Sequence, residues 1–361
     1  MSRGKKIIII ANFRYSNAPI NYAVWNALKL HVDFIIKAEL EPVFYVKDSD
    51  SYQIVHERYS DFLIFRYTST FTLLKSIYYH NKEAEYIWTS DVFSIWKAIL
   101  PKVFLKKKII SWFQGIIPEE SYLRNKSKLR FIILSTLEKL ALKCTSKYVF
   151  VSEAMVVFFE NKYKLKIKTG DYCFVPCFSE LKYDPSEKKI KNSFVYIGGL
   201  SEWQCFDKIL VIFLQIQNSI PNAIFHIITP SIETAQRKVT ELFENKKHIK
   251  IYQVKDRSSL SIILSRFEYG FLIREDNPIN KVASPIKFAE YLSCGVNVIM
   301  TDSISHLSKL VRFHNAGIIL DKSLRISDIC IYKYNMDGAL NAYREYFSHE
   351  KQQQKYAALL K

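Results

Sequence analysis

Short runs of apolar β-branched residues alternate with helical patterns along most of this 361-residue chain. In the first run, residues 5–12 (KKIIIIAN), apolar side chains stand at consecutive positions, which is typical of a strand buried on both faces of a parallel sheet. Further strands are predicted at residues 42–45, 62–65, 86–88, 108–112 and 148–151, with helices at 21–37 and 129–143. Strand and helix in alternation predict a doubly wound α/β layer.

A polar and basic segment interrupts this alternation. Residues 183–192 (YDPSEKKIKN) contain a proline and no apolar period, so we predict an interdomain linker over residues 181–192. The alternation then restarts, with strands predicted at 194–197, 224–228, 249–252, 269–273 and 298–300 and helices at 206–217, 231–245, 258–266 and 285–293. The length fits two domains of ordinary size.

We therefore predict two Rossmann-like domains. The first covers residues 1–180, and the second covers residues 193–361 with a terminal helix at 337–361. Open α/β sheets bind ligands at the carboxyl ends of their strands, so two such domains in tandem predict a ligand-binding crevice between them.

The composition, with 49% hydrophobic and 24% charged residues, is that of a globular protein. The apolar run at residues 7–11 is too short for a signal peptide, and no stretch reaches the ~18 apolar residues of a membrane span. The six cysteines form no CxxC pair and show no zinc-type spacing, which favours free thiols in a reducing compartment. A cytoplasmic protein, at most peripheral on the inner membrane face, is expected.

The net charge of +17, from 52 basic and 35 acidic residues, indicates an anionic partner. A phosphate-rich ligand, nucleic acid and an anionic membrane surface are the candidates, although solvated basic loops would give the same count. No nucleic-acid motif or basic stripe with interleaved aromatics is present, which argues against nucleic acid. Residues 129–143 combine a wide apolar face with Lys and Arg, as interfacial helices do, but burial against the sheet would give the same pattern.

The segment 274–300 contains the clearest candidate binding site. Ser284 suits a helix N-cap and Pro285 the first helical position, and the helix end that they predict presents free N–H groups to an anion. Lys287 then lies in the first turn, and Glu290 shares its face three residues later. An ordinary surface helix with a Lys–Glu pair is the alternative.

The run SPIKFAEYLSCGVNVI resembles the donor-binding segment of group 1 (family four) retaining glycosyltransferases of the GT-B fold. The matching positions are Pro285, Lys287, Glu290, Tyr291, Leu292, Gly295, Val298 and Ile299. YIGGLSEWQCFDKIL resembles the glycine-rich loop of the same family, with Gly198 and Gly199 at a strand end and Trp203 and Gln204 before a helix. Residues 112–123 and 148–153 resemble the acceptor domain of its polysaccharide-building members.

The resemblance implies a donor site for a UDP- or GDP-sugar. Lys287 and Arg274 would neutralise the leaving diphosphate, Glu290 would hold the ribose, and Trp203 would shape the base or sugar pocket unless it is a core residue. The other implied donor-site residues are Gly198, Gly199, Gln204, Asn280, Ser284 and Pro285. The implied acceptor residues are Gln114, Gly115, Glu119, Ser152 and Glu153.

The sequence departs from the family pattern at three places. Val282 stands where many members have a glutamate that contacts the sugar, and Asn280, Asp276 or Glu275 would have to replace it. The glycine-rich loop lacks the usual Arg and Lys, which leaves the phosphate charge to Arg274 and Lys287. Gln114 stands where members often have histidine, and because an amide is no general base it would orient sugar hydroxyls.

The expected reaction is transfer, with retention, of a hexose or N-acetylhexosamine to a glycan or lipid-linked acceptor in bacterial surface polysaccharide (capsule or O-antigen) synthesis. No metal-binding DxD pair stands at a strand end of the second domain, so neither a metal nor a further cofactor is expected. A sugar-nucleotide 2-epimerase of the same fold and a basic nucleic-acid-binding protein are the alternatives.

Overall fold

The computed structural model describes residues 5–14, 19–47, 56–59, 62–320 and 333–360. The chain divides into two compact units. The first unit comprises Met1–Pro176 together with His349–Lys361, and the second comprises Cys177–Ser348.

The first unit is built on a sheet of eight strands within the described residues. They are β1 (Lys5–Arg14), β2 (Leu40–Lys47), β3 (His56–Tyr59), β4 (Phe62–Tyr67), β5 (Tyr86–Thr89), β6 (Lys108–Phe113), β7 (Lys147–Phe150) and β8 (Tyr172–Phe174). Their order is β3-β4-β2-β1-β5-β6-β7-β8, and only β3 is antiparallel to its neighbour. The four isoleucines from Ile7 to Ile10 are fully buried at its centre, as the β-branched run predicts.

Seven described helices belong to this unit. They are α1 (Pro19–Lys37), α2 (Thr70–His80), α3 (Val92–Phe104), α4 (Ile117–Asn125), α5 (Lys128–Cys144), α6 (Glu153–Tyr163) and, at the carboxyl end of the chain, α14 (His349–Leu360). Helix α2 packs against α3, and α3 packs against α5, so these three form one neighbouring layer. Helix α14 packs against α1 and β8.

The second unit has six described strands, all parallel. They are β9 (Ile190–Ile197), β10 (Ile224–Ile228), β11 (Ile249–Tyr252), β12 (Phe267–Leu272), β13 (Asn297–Thr301) and β14 (Gly317–Leu320), in the order β11-β10-β9-β12-β13-β14. The winding direction reverses between β9 and β12. Such a reversal is the point at which doubly wound sheets bind ligands.

The helices of the second unit cover its two faces. They are α7 (Phe206–Ser219), α8 (Ile232–Leu242), α9 (Arg257–Ser265), α10 (Pro278–Val282), α11 (Ile286–Ser293), α12 (Ser305–His314) and α13 (Met336–Tyr346), with one 3-10 turn at Glu202–Gln204. Two apolar clusters form its core. One surrounds Phe213 and Phe225, and the other surrounds Tyr291 and Val298. The predicted α/β class with two doubly wound domains is confirmed.

The predicted linker at residues 181–192 is wrong. Leu181 is buried in the core of the second unit, and the Tyr183 amide donates a hydrogen bond of 2.9 Å to the Ser293 carbonyl. The Lys189 ammonium donates to the carbonyls of Phe267 (2.7 Å) and Cys294 (3.0 Å). The segment is polar in sequence, yet hydrogen bonds from Lys189 to backbone carbonyls attach it to the second unit, and an apolar pattern does not reveal such bonds.

The predicted terminal helix at residues 337–361 is two helices, and they belong to different units. Helix α13 stays in the second unit, whereas α14 belongs to the first. Tyr356 of α14 is fully buried, with its ring centroid 5.5 Å from Phe34 and 5.7 Å from His31. The apolar side chains of α14 therefore complete the core of the first unit.

Two expectations about the chain as a whole can be compared with the described residues. No helix among them is long and apolar enough to cross a bilayer. Five of the cysteines are free thiols, as predicted, and Cys330 lies outside the described residues.

Candidate functional site

Two loops of the second unit meet where its sheet reverses direction. Strand β9 ends at Ile197 and continues into Gly198 and Gly199, and its neighbour β12 ends at Leu272 shortly before Arg274. Gly198 has a φ of 115°, which side chains other than glycine rarely adopt. A Cβ there would lie 3.4 Å from the Lys287 ammonium nitrogen, so the glycine also lets the backbone approach this lysine closely.

Lys287 extends from the first turn of α11 into this corner. Only 6% of its surface is exposed. Its Nζ donates to Gln204 Oε1 at 2.7 Å and lies 4.2 Å from the centroid of the Tyr196 ring. Burial, followed by the positive charge of Arg274, holds the pKa of Lys287 well below its ordinary value. The ammonium group is therefore held by neutral partners and poorly stabilised.

Arg274 supplies a second buried cation. Its backbone is fixed to β13, because its amide donates to Thr301 Oγ1 at 3.0 Å and the Thr301 hydroxyl donates back to its carbonyl at 2.6 Å. Its Nη1 donates to the Trp203 carbonyl at 2.5 Å, and its Nε is buried without a hydrogen-bond partner among the described residues. Burial lowers the pKa of Arg274.

Within the described part of the chain, neither Lys287 nor Arg274 forms an ion pair with a carboxylate. Two neighbouring buried like charges are unfavourable, and the attraction of Lys287 by the buried Glu290 does not prevent the fall in its pKa, so a negatively charged ligand would stabilise the pair. They lie beside a glycine turn and in the first turn of α11, whose backbone N–H groups favour negative charge. The arrangement is that of an anion site which a phosphorylated ligand would complete.

Glu290, one turn after Lys287, is also buried. Its Oε1 accepts a hydrogen bond of 3.0 Å from Arg257 Nη2, and it forms no ion pair with Lys287. Burial raises the pKa of Glu290, and the charge of Arg257 opposes that shift. Because α11 is buried from Lys287 to Ser293, the alternative of a surface helix with a Lys–Glu pair is wrong.

The first unit has a cavity of about 380 Å³ at the carboxyl ends of β5 and β6. Its polar lining comes from Ser90, Asp91, Gln114 and Glu120, and Trp112 forms part of its apolar wall. The Gln114 amide donates to the Ser90 carbonyl at 3.0 Å, and the Asp91 carboxylate caps α3 by accepting from the Ser94 amide at 2.9 Å. Groups that can hydrogen-bond to hydroxyls therefore line this cavity.

No protein-family model matches the sequence, and it is not significantly similar to any curated protein. Solved structures do share its architecture over nearly the whole chain. Sucrose-phosphate synthase (tll1590) from Thermosynechococcus elongatus is 14% identical with a TM-score of 0.65, and the match covers 97% of this chain and 96% of that one. Anabaena Alr3699/HepE in complex with UDP and glucose is 12% identical with a TM-score of 0.66, covering 98% and 99%.

The lipopolysaccharide outer core galactosyltransferase WaaB is likewise 12% identical, with a TM-score of 0.68 and coverage of 97% and 98%. These neighbours are GT-B glycosyltransferases. The chain has the GT-B fold. At such low identity the likeness establishes the fold alone, so the chemistry must be argued from the side chains.

Four of the predicted donor residues in the second domain of the GT-B fold lie close together, whereas Ser284 has a different role from the one predicted. Gly198, Gln204, Arg274 and Lys287 meet at the anion site. Ser284 does not cap α11 as predicted, because the helix begins at Ile286 with Pro285 as its N-cap. The Ser284 hydroxyl instead accepts a hydrogen bond from the Cys177 amide at 3.0 Å.

Asn280, Asp276 and Glu275 are the predicted substitutes for the family glutamate whose position Val282 occupies. Asn280 is buried in α10 and donates to the Glu275 carbonyl at 2.9 Å, so it braces the loop after β12. Glu275 and Asp276 are more than half exposed and form surface ion pairs with Lys208 (2.7 Å) and Lys281 (2.8 Å). No group of three or more His, Cys, Asp or Glu in the described ranges is placed to hold a metal ion.

The predicted acceptor residues are dispersed in the first domain of the GT-B fold. Gln114 and Gly115 line the cavity, and a Cβ on Gly115 would lie only 2.1 Å from a Glu120 carboxylate oxygen. Glu119 instead pairs with Lys162 at 2.8 Å, and Ser152 is buried before the exposed Glu153 at the start of α6.

Sequence reasoning missed three residues of these sites: Asp91, Glu120 and Arg257. The position of Asp91 is visible in the sequence, because it lies two residues after the end of strand β5. Gln114 lies similarly close to the end of the neighbouring strand β6, one residue after it. Glu120 directly follows Glu119, the residue that the resemblance implies for the acceptor site. No pattern in the sequence connects Arg257 with the site, because it lies 33 residues from its partner Glu290.

Proposed function

We propose that this protein is a retaining glycosyltransferase. It transfers a hexose or N-acetylhexosamine from a UDP- or GDP-sugar to a glycan or lipid-linked saccharide. The observation that supports this most is the pair of buried cations, Lys287 and Arg274, neither of which forms an ion pair with a carboxylate among the described residues. The sequence resemblance to group 1 enzymes supports retention.

The donor diphosphate would occupy the corner between Gly198, Arg274 and α11. As the bond from the sugar anomeric carbon to the diphosphate oxygen breaks, negative charge develops on that oxygen. Lys287 and Arg274 are already fixed at this corner, so they would stabilise the leaving group without reorganising. Their removal from water strengthens this effect. In this proposal the protein cations do the work that a metal does elsewhere, and no cofactor is needed.

Glu290 would bind the nucleoside part of the donor. One carboxylate oxygen is held by Arg257, and the group would accept hydrogen bonds from the two ribose hydroxyls with its remaining capacity. The charge of Arg257 opposes the rise in the pKa of Glu290 that burial causes, and so favours the charged carboxylate, which is the stronger acceptor. Trp203, half-buried beside the glycine loop, would contact the base or the sugar.

The acceptor sugar would bind in the cavity of the first unit. Asp91, Gln114 and Glu120 present acceptors and donors that suit sugar hydroxyls, and Trp112 presents an aromatic surface. Because Gln114 is an amide, its role would be to orient a hydroxyl rather than to remove its proton. A saccharide of bacterial surface polysaccharide synthesis, of capsule or O-antigen type, fits such a site, and the enzyme would work in the cytoplasm.

A thermal-shift screen of UDP, GDP and their sugars tests the donor site directly. A ligand that binds the folded state raises its melting temperature, so at least one nucleoside diphosphate should raise the midpoint, while the free sugars should not. The same donor is then incubated with and without saccharide acceptors. A transferase needs the acceptor for turnover, whereas an epimerase would convert the donor alone. Absence of any shift with all nucleotides would refute the proposal.

A further inference from the structure

Exposed apolar side chains are concentrated on one layer of the first unit. Within the described residues 18 large hydrophobic side chains are exposed, and ten of them lie on α2, α3 and α5. They are Phe71, Tyr78, Tyr79, Phe93, Val103, Phe104, Leu129, Ile132, Ile133 and Leu140. Helix α3 packs against both α2 and α5, so the three helices form one layer, and its outer surface is here called the α2–α3–α5 face.

Helix α5 presents one stripe of apolar residues outward, although its Ala141 and Leu142 are buried. Leu129 is 70% exposed, Ile132 60% and Ile133 50%, at the spacing of one helical stripe. The carboxylate of Glu138, in contrast, is fully buried and accepts hydrogen bonds from the Tyr163 hydroxyl (2.5 Å) and the Ile117 amide (3.1 Å). Clustered exposed apolar residues are a feature of interaction surfaces, so the outer stripe of α5 is a candidate binding surface.

The charges on the same three helices are almost all positive. They contain seven Lys and Arg residues, namely Lys75, Lys97, Lys102, Lys128, Arg130, Lys139 and Lys143. Their single carboxylate is Glu138, which is buried and paired with Lys162 at 3.2 Å. The partner of this face must therefore accept apolar side chains and offer negative charge.

We propose that the α2–α3–α5 face binds the surface of a bilayer that contains anionic phospholipids. The apolar side chains would enter the boundary between headgroups and acyl chains, and the lysines would contact the headgroup phosphates. Nucleic acid would satisfy the charge but not the apolar stripe. The inference deepens the proposed function, because the acceptor cavity belongs to the same unit and a lipid-linked acceptor resides in the membrane.

Vesicle flotation of the full chain tests this proposal. The protein should float with vesicles of phosphatidylethanolamine and phosphatidylglycerol at low salt, and much less with vesicles of phosphatidylcholine alone. The double variant Ile132→Ser/Ile133→Ser should reduce partitioning into the anionic vesicles at least tenfold, which corresponds to about 1.4 kcal/mol. Lys128→Glu/Lys143→Glu should weaken binding at low salt and lessen its salt dependence.

Matched variants control for general effects. Val211→Ser and Phe313→Ser replace exposed apolar residues of the second unit, and Lys247→Glu/Lys250→Glu reverses charges there; all should float like the unaltered protein. Every variant should keep its melting temperature and its shift with UDP. Since donor binding is measured without vesicles, failure of the membrane proposal is distinguishable from failure of the proposed function.

Three results would overturn the inference. One is no flotation with anionic vesicles at low salt, and another is undiminished flotation of Ile132→Ser/Ile133→Ser. The third is a stable dimer in size-exclusion chromatography that this double variant makes monomeric, because the face would then bind a second copy of the chain.

Discussion

A cluster of buried charges around Glu138 in the first unit can be compared with the one around Lys287 in the second, and the two differ in how their charges are balanced. In the first unit, the buried Glu138 carboxylate is surrounded by Lys162, the Tyr163 hydroxyl and the Ile117 amide. In the second unit, Lys287 and Arg274 donate hydrogen bonds only to neutral groups within the described residues, and the buried carboxylate that attracts Lys287, Glu290, is itself paired with Arg257. A balanced cluster holds the fold together, whereas an unbalanced one is explained by a ligand that carries the missing charge.

Burial disfavours the charged form in both places. Desolvation raises the pKa of Glu138 to about 7, even though the charge of Lys162 opposes the shift. Desolvation lowers the pKa of Lys287, and there the neighbouring Arg274 adds to the shift. At Glu138 the larger charge effect is that of Lys162, which reduces the energetic penalty of burial. At Lys287 the larger charge effect is that of Arg274, which increases the penalty, and Glu290 opposes it. The two clusters should therefore respond to mutation in opposite ways.

The largest effect is expected for Glu138→Ala. It would leave the Ile117 amide and the Tyr163 hydroxyl unsatisfied and Lys162 with one carboxylate fewer, and should lower the free energy of unfolding by about 3 kcal/mol. Urea denaturation measures this. Glu83→Ala removes an exposed partner of Lys6 and serves as the control, with a change below about 0.5 kcal/mol. Equal stability of the two variants would show that the Glu138 cluster is dispensable.

Lys287→Ala should chiefly affect activity. A charged hydrogen bond is worth about 1.5–3 kcal/mol, so kcat/KM should fall about ten- to a hundredfold. Lys281→Ala, which removes a nearby surface lysine, should retain wild-type kinetics. Turnover of the donor by Lys287→Ala at the wild-type rate would remove this residue from the mechanism.

Glu290→Ala should weaken binding of the free nucleoside diphosphate about tenfold, or about 1.4 kcal/mol, because the ribose would lose its acceptor. Titration calorimetry with UDP and GDP measures the affinity. Asp276→Ala, at an exposed ion pair outside the anion site, provides the comparison. Unchanged affinity in Glu290→Ala would refute the ribose role.

The smallest effect is expected for Lys287→Met, and it tests the difference between the Glu138 and Lys287 clusters most sharply. Lys287→Met keeps the apolar stem and removes a buried charge that Arg274 repels, so the ligand-free protein should become more stable by about 1 kcal/mol. Thermal denaturation without nucleotide measures it, and the variant should also lose its stabilisation by UDP. A lower melting temperature would mean that the lysine is balanced within the protein, as Glu138 is.

The sequence predicts the fold well because the relevant signals are local. Consecutive β-branched residues such as Ile7 to Ile10 identify central strands wherever they occur. Strands β3, β8 and β14 escape prediction, because two four-residue edge strands and a three-residue strand carry little pattern. The assignment of α14 to the first unit depends on contacts between Tyr356 and Phe34, more than 300 residues apart, which periodicity does not report.

The candidate site is predictable to the same extent. The positions of Gly198, Arg274 and Lys287 at strand ends and in the first turn of a helix are visible in the sequence, whereas their roles in a donor site are implied by the family resemblance and stay predictions. The capping role of Ser284 was wrong, because its hydroxyl binds the distant Cys177 amide. The apolar and basic composition of α5 is visible in the sequence, but the direction in which its apolar stripe faces is not. Its direction depends on Glu138, a residue that binary patterning would place in solvent.

A crystal structure of the UDP complex tests the central claim most directly. The account predicts diphosphate oxygens within hydrogen-bond distance of Lys287 Nζ and of the Arg274 guanidinium, with the Lys287 contact to Gln204 replaced or shared. It would be contradicted if UDP bound elsewhere while Lys287 still donated to Gln204 and protein atoms filled the corner beside Gly198.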